Sequence, residues 1–150
     1  MQPELGPKYQ TLLILWFAMV MSVGLYFLVT IFAAPQAAID SAHAPDARLV
    51  WGLAALGLVF VVASFAVKHK LLDRSVANQN LGLVQQAMIV ALAMCEVSAL
   101  LGLVAFFVIG SREYYLLFLL AAAGMILHAP RRSQLEAAGW NRLPGSMPGP

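Results

Sequence analysis

A single acid, Glu96, lies near the middle of a long apolar run from Leu83 to Ile109. A carboxylate at bilayer depth costs about 2.5–3.5 kcal/mol on insertion scales, so a helix that carries one usually pairs it, protonates it or uses it. Because burial disfavours the charged form, we predict that Glu96 is neutral at rest and can donate a hydrogen bond. Such a group can carry a proton, since a change in solvent access would ionise it. The alternative is a protonated side chain that only bonds a neighbouring helix or subunit.

Small side chains share one face of the predicted helix around Glu96. At 100° per residue they form a broad stripe, which allows close approach of membrane helices and predicts a packing face. Glu96 points toward the opposite, bulky face and lies near the border between the two. The stripe consists of Ala87, Ala91, Cys95, Ser98, Ala99 and Gly102.

Two glutamines, Gln85 and Gln86, stand near the start of the same helix. Gln85 precedes Glu96 by three helical turns, about 16 Å at 1.5 Å per residue, and cannot touch it directly. The pair could line a polar access route toward Glu96. Membrane glutamines also serve as bonds between helices, and both interpretations stay open.

The composition indicates that lipid surrounds this chain. Of its 150 residues 61% are hydrophobic and 11% are charged, with a mean hydropathy of +0.81. A soluble domain of this length could not bury so much apolar surface. Four segments approach the roughly 20 residues that a crossing needs, and in lipid each must be a helix. These segments are residues 12–33, 49–67, 81–110 and 112–128.

We therefore expect an all-α, polytopic membrane protein with an antiparallel four-helix transmembrane bundle over residues 1–132. In residues 133–150 we expect a cytoplasmic tail that holds a short interfacial helix from Ser133 to Trp140 and then a disordered end. Basic residues place both termini and the second loop in the cytoplasm, with a multi-pass location in the cell inner membrane. These residues are Lys8, Lys68, Lys70, Arg74, Arg131, Arg132 and Arg142.

Several functions are disfavoured by what the sequence contains. A net charge of +2 is too small and too scattered to indicate nucleic-acid binding. Cys95 is the only cysteine, so neither a disulfide nor a zinc site is expected within the chain. His69 and His128 could in principle hold a haem, but histidines at helix ends usually meet the interface, and we expect no cofactor and no metal. Without a nucleotide loop or a nucleophile–base pair, the chain is not expected to be an enzyme.

The stretch from Arg74 to Val104 resembles the c subunit of rotary ATP synthases and its V-type relatives. That family has a polar cytoplasmic loop followed by a helix that carries the ion-binding acid. The loop here contains Arg74-Ser75-Val76-Ala77. The helix reads Met88-Ile89-Val90-Ala91-Leu92-Ala93-Met94-Cys95-Glu96-Val97-Ser98-Ala99-Leu100-Leu101-Gly102-Leu103-Val104.

The resemblance implies that Glu96 is the ion-binding carboxyl group and that the chain assembles with other copies. Sodium-binding members of that family place Ser or Thr directly after the acid, where this chain has Val97, so the implied ion is a proton. We expect a membrane subunit that binds or translocates protons, as a homo-oligomer or within a multi-protein complex. The alternatives are a non-catalytic accessory or scaffold subunit, with the small stripe as its contact surface, and a small proton-coupled exporter.

Overall fold

The computed structural model describes residues 5–40, 47–110 and 112–139, and these form helices joined by short turns, with no strand among them. The prediction of an all-α chain is thus confirmed for this part of the sequence. The predicted disorder over residues 143–150 lies outside the described residues. The elements are α1 (Leu5–Asp40), α2 (Ala47–Ala77), α3 (Leu81–Phe107), a 3-10 turn (Arg112–Tyr114), α4 (Tyr115–Leu127) and α5 (Arg132–Gly139).

Three described helices are long and apolar enough to cross a membrane, over Gly6–Ala33, Arg48–Ala77 and Leu81–Phe107. The chain therefore has the helices of a membrane protein. Helix α4 is equally apolar but shorter, about 20 Å at 1.5 Å per residue against a hydrocarbon core of about 30 Å.

Helix boundaries differ from the sequence prediction in all four segments, and α1 already begins at Leu5 instead of residue 12. Helix α1 continues through Pro35 to Asp40 instead of ending before the proline, although a proline inside a helix removes one backbone donor and crowds the carbonyl group one turn earlier. Helix α2 runs well beyond residue 67 to Ala77, since the exposed side chains of Lys70, Asp73 and Arg74 reach water without breaking the helix. Helix α3 ends at Phe107 rather than residue 110, just before Gly110 with its φ of +69°.

Helix α3 is the centre of the structure and contacts α1, α2, α4 and α5. Of its most apolar window 44% is buried, compared with 22% for α2 and 11% for α1. Contacts of Ser98 with Gly57 and of Cys95 with Ser64 show that α2 runs antiparallel to α3. Successive helices thus run up and down around α3.

The predicted stripe of small residues is buried inside this chain. All six of its members are buried, and the packing is tightest where they meet glycines or rings of other helices. A Cβ atom on Gly124 would lie 2.8 Å from the Cys95 Sγ, and one on Gly102 would lie 2.9 Å from the Phe118 ring. Helices α2 and α4 therefore cover the stripe within the same chain, and a partner subunit would have to meet other surfaces.

Helix α5 lies across one end of the bundle. Its residues Leu135 and Ala138 are buried and join the hydrophobic core. The Arg132 guanidinium lies 4.9 Å from the centre of the Tyr9 ring, close to the start of α1. The chain after α4 thus returns to the end of the bundle at which α1 begins.

Candidate functional site

Glu96 meets two hydroxyl groups of α1 halfway along α3. Ser22 Oγ lies 2.8 Å and Tyr26 OH lies 3.0 Å from the same carboxyl oxygen, Oε1 of Glu96. Ser22 and Tyr26 are four residues apart and therefore share one face of α1. The Glu96 side chain is half-buried between the two helices. An apolar helix pair thus contains one carboxyl group with two hydrogen-bond partners from its own chain.

The Ser22 hydroxyl has two acceptors within reach. Its Oγ is 2.8 Å from Glu96 Oε1 and 2.7 Å from the Met19 carbonyl oxygen, but a serine has one hydrogen to donate. When Glu96 is ionised, Ser22 and Tyr26 can both donate to the carboxylate. When Glu96 is protonated, it can donate to Ser22 Oγ while Ser22 donates to Met19. The site can therefore satisfy both protonation states by rotating one hydroxyl group.

Sequence reasoning singled out Glu96 but not the partners that the structure gives it. Neither Tyr26 nor Ser22 is among the residues that the sequence predicts for the site. A signal was present: Ser22, Tyr26 and Thr30 recur every four residues in an otherwise apolar helix. Thr30 continues this line but donates to the Phe27 carbonyl oxygen, at 2.7 Å.

The two predicted access residues have different surroundings. Gln85 lines a cavity of about 130 Å³ at the end of the bundle, together with Lys8, Thr11 and Leu135. Both glutamines are exposed, but Gln86 is not part of that lining. The structure therefore separates Gln85, at the open end of the seam between α1 and α3, from its neighbour in sequence.

A second polar cluster lies between α2, α3 and α4. Ser64 Oγ is 2.7 Å from His128 Nε2 and 3.6 Å from Cys95 Sγ, and it donates to the Val61 carbonyl oxygen at 2.6 Å. Lys68 Nζ donates to the His128 carbonyl oxygen at 3.3 Å. Ser64, Cys95 and His128 are buried, so these bonds join three helices in the interior.

Both histidines with described side chains have polar partners within the chain. His69 is exposed, and its Nδ1 lies 2.9 Å from Asp73 Oδ2 one turn later. His128 is held by Ser64, as above. Over the described residues no three His, Cys, Asp or Glu side chains come together in a group that could hold a metal ion.

Comparison with known proteins finds no relative of this chain. No protein-family model matches the chain, and neither a curated protein sequence nor a solved structure matches it. The chemistry of the site must therefore be argued from its own residues.

Proposed function

We propose that this chain is an integral membrane protein that binds protons at Glu96 and passes them across the bilayer. The observation that carries the proposal is the pair of hydroxyl groups, from Ser22 and Tyr26, on one oxygen of a carboxyl group halfway along an apolar helix. Intramembrane acids are costly and usually functional. A site that satisfies both the acid and the carboxylate lets the proton leave and return without a buried group losing its partner.

The distances favour a proton over a metal cation. Ser22 Oγ and Tyr26 OH both lie at hydrogen-bond distance from Glu96 Oε1, so these oxygens are bonded to one another through protons. The resemblance of residues 74–104 to the rotary c subunit supports the same ion, through Val97 after the acid. Protection of Glu96 from a carboxyl reagent by sodium would contradict this assignment.

The membrane arrangement that goes with this function is a four-helix transmembrane bundle in the cell inner membrane, with both termini cytoplasmic. In it α4 crosses together with the turn Arg112–Tyr114. The basic residues beside α2, α4 and α5 support this orientation. Glu96 then lies near the middle of the bilayer.

The proposal is tested by proton flux into liposomes that contain the purified chain. A potassium diffusion potential drives protons inward, and a pH-sensitive dye in the lumen reports the flux. Glu96→Gln keeps the size and an acceptor oxygen for Ser22 and Tyr26, so the fold is expected to persist while the flux is lost. Glu136→Gln, on the exposed face of α5, is the matched control and should conduct like the unmodified chain.

The outcome against the proposal is equally clear. If Glu96→Gln elutes as the same species in gel filtration and conducts protons at the original rate, Glu96 carries no proton. Equal loss of flux in Glu96→Gln and Glu136→Gln would point to general damage by removal of charge and would also contradict the proposal.

The second candidate function is an accessory or scaffold subunit of a larger membrane complex. The observation in its favour is the sparse cover of α1, of which only 11% of the most apolar window is buried within this chain. The native mass of the gently solubilised protein separates the two. Many copies of this chain alone would support a ring like that of the rotary c family. A defined assembly with unrelated chains would support the accessory subunit.

A further inference from the structure

Helices α1 and α3 run in parallel, with polar residues at matching heights. Ser22 meets Glu96, and three turns earlier Thr11 and Gln85 line the same cavity. In each pair the residue of α1 precedes that of α3 by 74 positions, because 96 − 22 and 85 − 11 both equal 74. The seam between the helices therefore carries one polar level at its end and another at its middle, about 16 Å apart.

The outer level is a recess that water can fill. Its volume is about 130 Å³, and Lys8, Thr11 and Gln85 supply polar groups around it. One water needs only about 10–15 Å³ of such volume and two to four polar partners, so several waters fit. Leu135 of α5 lines the recess from the end of the bundle.

The segment between the two levels is apolar. Met88 and Leu92 lie on the face of α3 that also carries Gln85 and Glu96, and both are fully buried. Met19 of α1 packs against the same core. Water from the recess thus meets two layers of apolar side chains before it reaches the carboxyl group.

From this arrangement we infer that the recess of Lys8, Thr11 and Gln85 is the aqueous mouth through which protons reach Glu96, with Met88 and Leu92 as the barrier. The inference rests on the proposed function of Glu96. It assigns the route to the seam inside this chain rather than to a surface shared with another subunit. Gln85 is a positioning residue for water in the mouth, and Gln86 has no part in it.

The flux assay tests the route with a neighbouring pair. Gln85→Leu removes the amide from the recess and should lower the proton flux several-fold, while Gln86→Leu should leave it unchanged. If both variants conduct like the original chain, or both lose flux equally, the mouth is not in this seam. In that case a loss of flux in Glu96→Gln would still support the carrier role. Original flux in Glu96→Gln overturns both the carrier role and the mouth.

Water access can be measured without any flux. In a Cys95→Ala background, Gln85→Cys should react with a hydrophilic, membrane-impermeant thiol reagent that is added on the side of α5. Leu92→Cys, two turns deeper on the same face, should stay unlabelled because it lies in the barrier. Failure to label position 85, or equal labelling of positions 85 and 92, would overturn the inference.

Discussion

The Ser22 hydroxyl group can donate its one hydrogen either to Glu96 or to the backbone of α1. Ser22 Oγ has the carboxyl oxygen on one side and the Met19 carbonyl oxygen on the other, at 2.8 and 2.7 Å. Tyr26 adds a second donor to the same carboxyl oxygen. A half-buried carboxylate without these donors would lose the hydrogen bonds that offset its partial desolvation.

Removal of both hydroxyl groups should make Glu96 more reactive, because its Oε1 loses the two hydrogen bonds that stabilise it. Hydrogen bonds to charged groups contribute about 1.5–3 kcal/mol each, and 1.4 kcal/mol is tenfold in an equilibrium constant. Ser22→Ala with Tyr26→Phe is therefore expected to speed the reaction of Glu96 with a hydrophobic carbodiimide about tenfold or more.

The matched control for this double variant is Thr30→Val. Thr30 is a buried hydroxyl on the same helix, and it donates to Phe27 rather than to Glu96. Its removal should leave the labelling rate unchanged. An unchanged rate in the double variant would show that the two α1 hydroxyls do not stabilise the carboxylate.

At the scale of a residue, the sequence was sufficient to find Glu96 but not its partners. An acid in an apolar run is visible locally, because the cost of its charge depends on its own depth. The contact with Ser22 and Tyr26 depends on the register between two helices whose contacting residues are 74 and 70 positions apart in the sequence. That register is set by the packing of α1, α2 and α3 together, and no local pattern contains it.

At the scale of helices, small residues set how closely α2, α3 and α4 approach one another. A Cβ atom on Gly57 of α2 would lie 2.8 Å from both Ser98 Oγ and Leu117 Cδ2. Ser98 is itself fixed, because it is buried and donates to the Leu117 carbonyl oxygen at 3.2 Å. Close packing here leaves no space for even one methyl group.

Gly57→Ala is accordingly expected to destabilise the bundle by about 1–3 kcal/mol, the usual cost of overpacking. Gly52→Ala is the matched control in the same helix, since nothing lies within 4 Å of a Cβ atom at that position. Thermal unfolding in detergent, followed by the loss of helical circular dichroism, should give a lower midpoint for Gly57→Ala only. Equal midpoints would show that α2 can move away from α3 at no cost.

Hydropathy predicts that the helices exist, but it does not predict the residues at which they end. The apolar runs of α1, α2 and α3 predict helices because lipid leaves the backbone no other hydrogen-bond partner. The ends lie where polar residues begin, and there helical and non-helical backbones are both solvated. Helix α1 therefore passes Pro35, and α2 passes its basic residues, beyond the limits that hydropathy alone suggests.

At the scale of the whole molecule, the two ends of the described chain meet. Trp16 Nε1 donates to the Met125 carbonyl oxygen at 2.8 Å, which ties the first half of α1 to the last turn of α4. Arg132 then lies over Tyr9, and α5 packs against α1, α2 and α3. Whatever side of the membrane holds Lys8 must therefore also hold α5.

This geometry predicts that α4 crosses the membrane despite its 13 residues. Since α3 ends at the opposite end of the bundle, the chain can return to Tyr9 only through α4. A fluorescent protein that folds only in the cytoplasm should fluoresce when it is fused after Gly139. It should not fluoresce when it is fused after Gly110. The fusion after Asn80, in the turn between α2 and α3, is the control and should also fluoresce. If the fusion after Asn80 fluoresces and the fusion after Gly139 does not, only three helices cross the membrane. In that case α5 cannot lie against Tyr9 in the membrane.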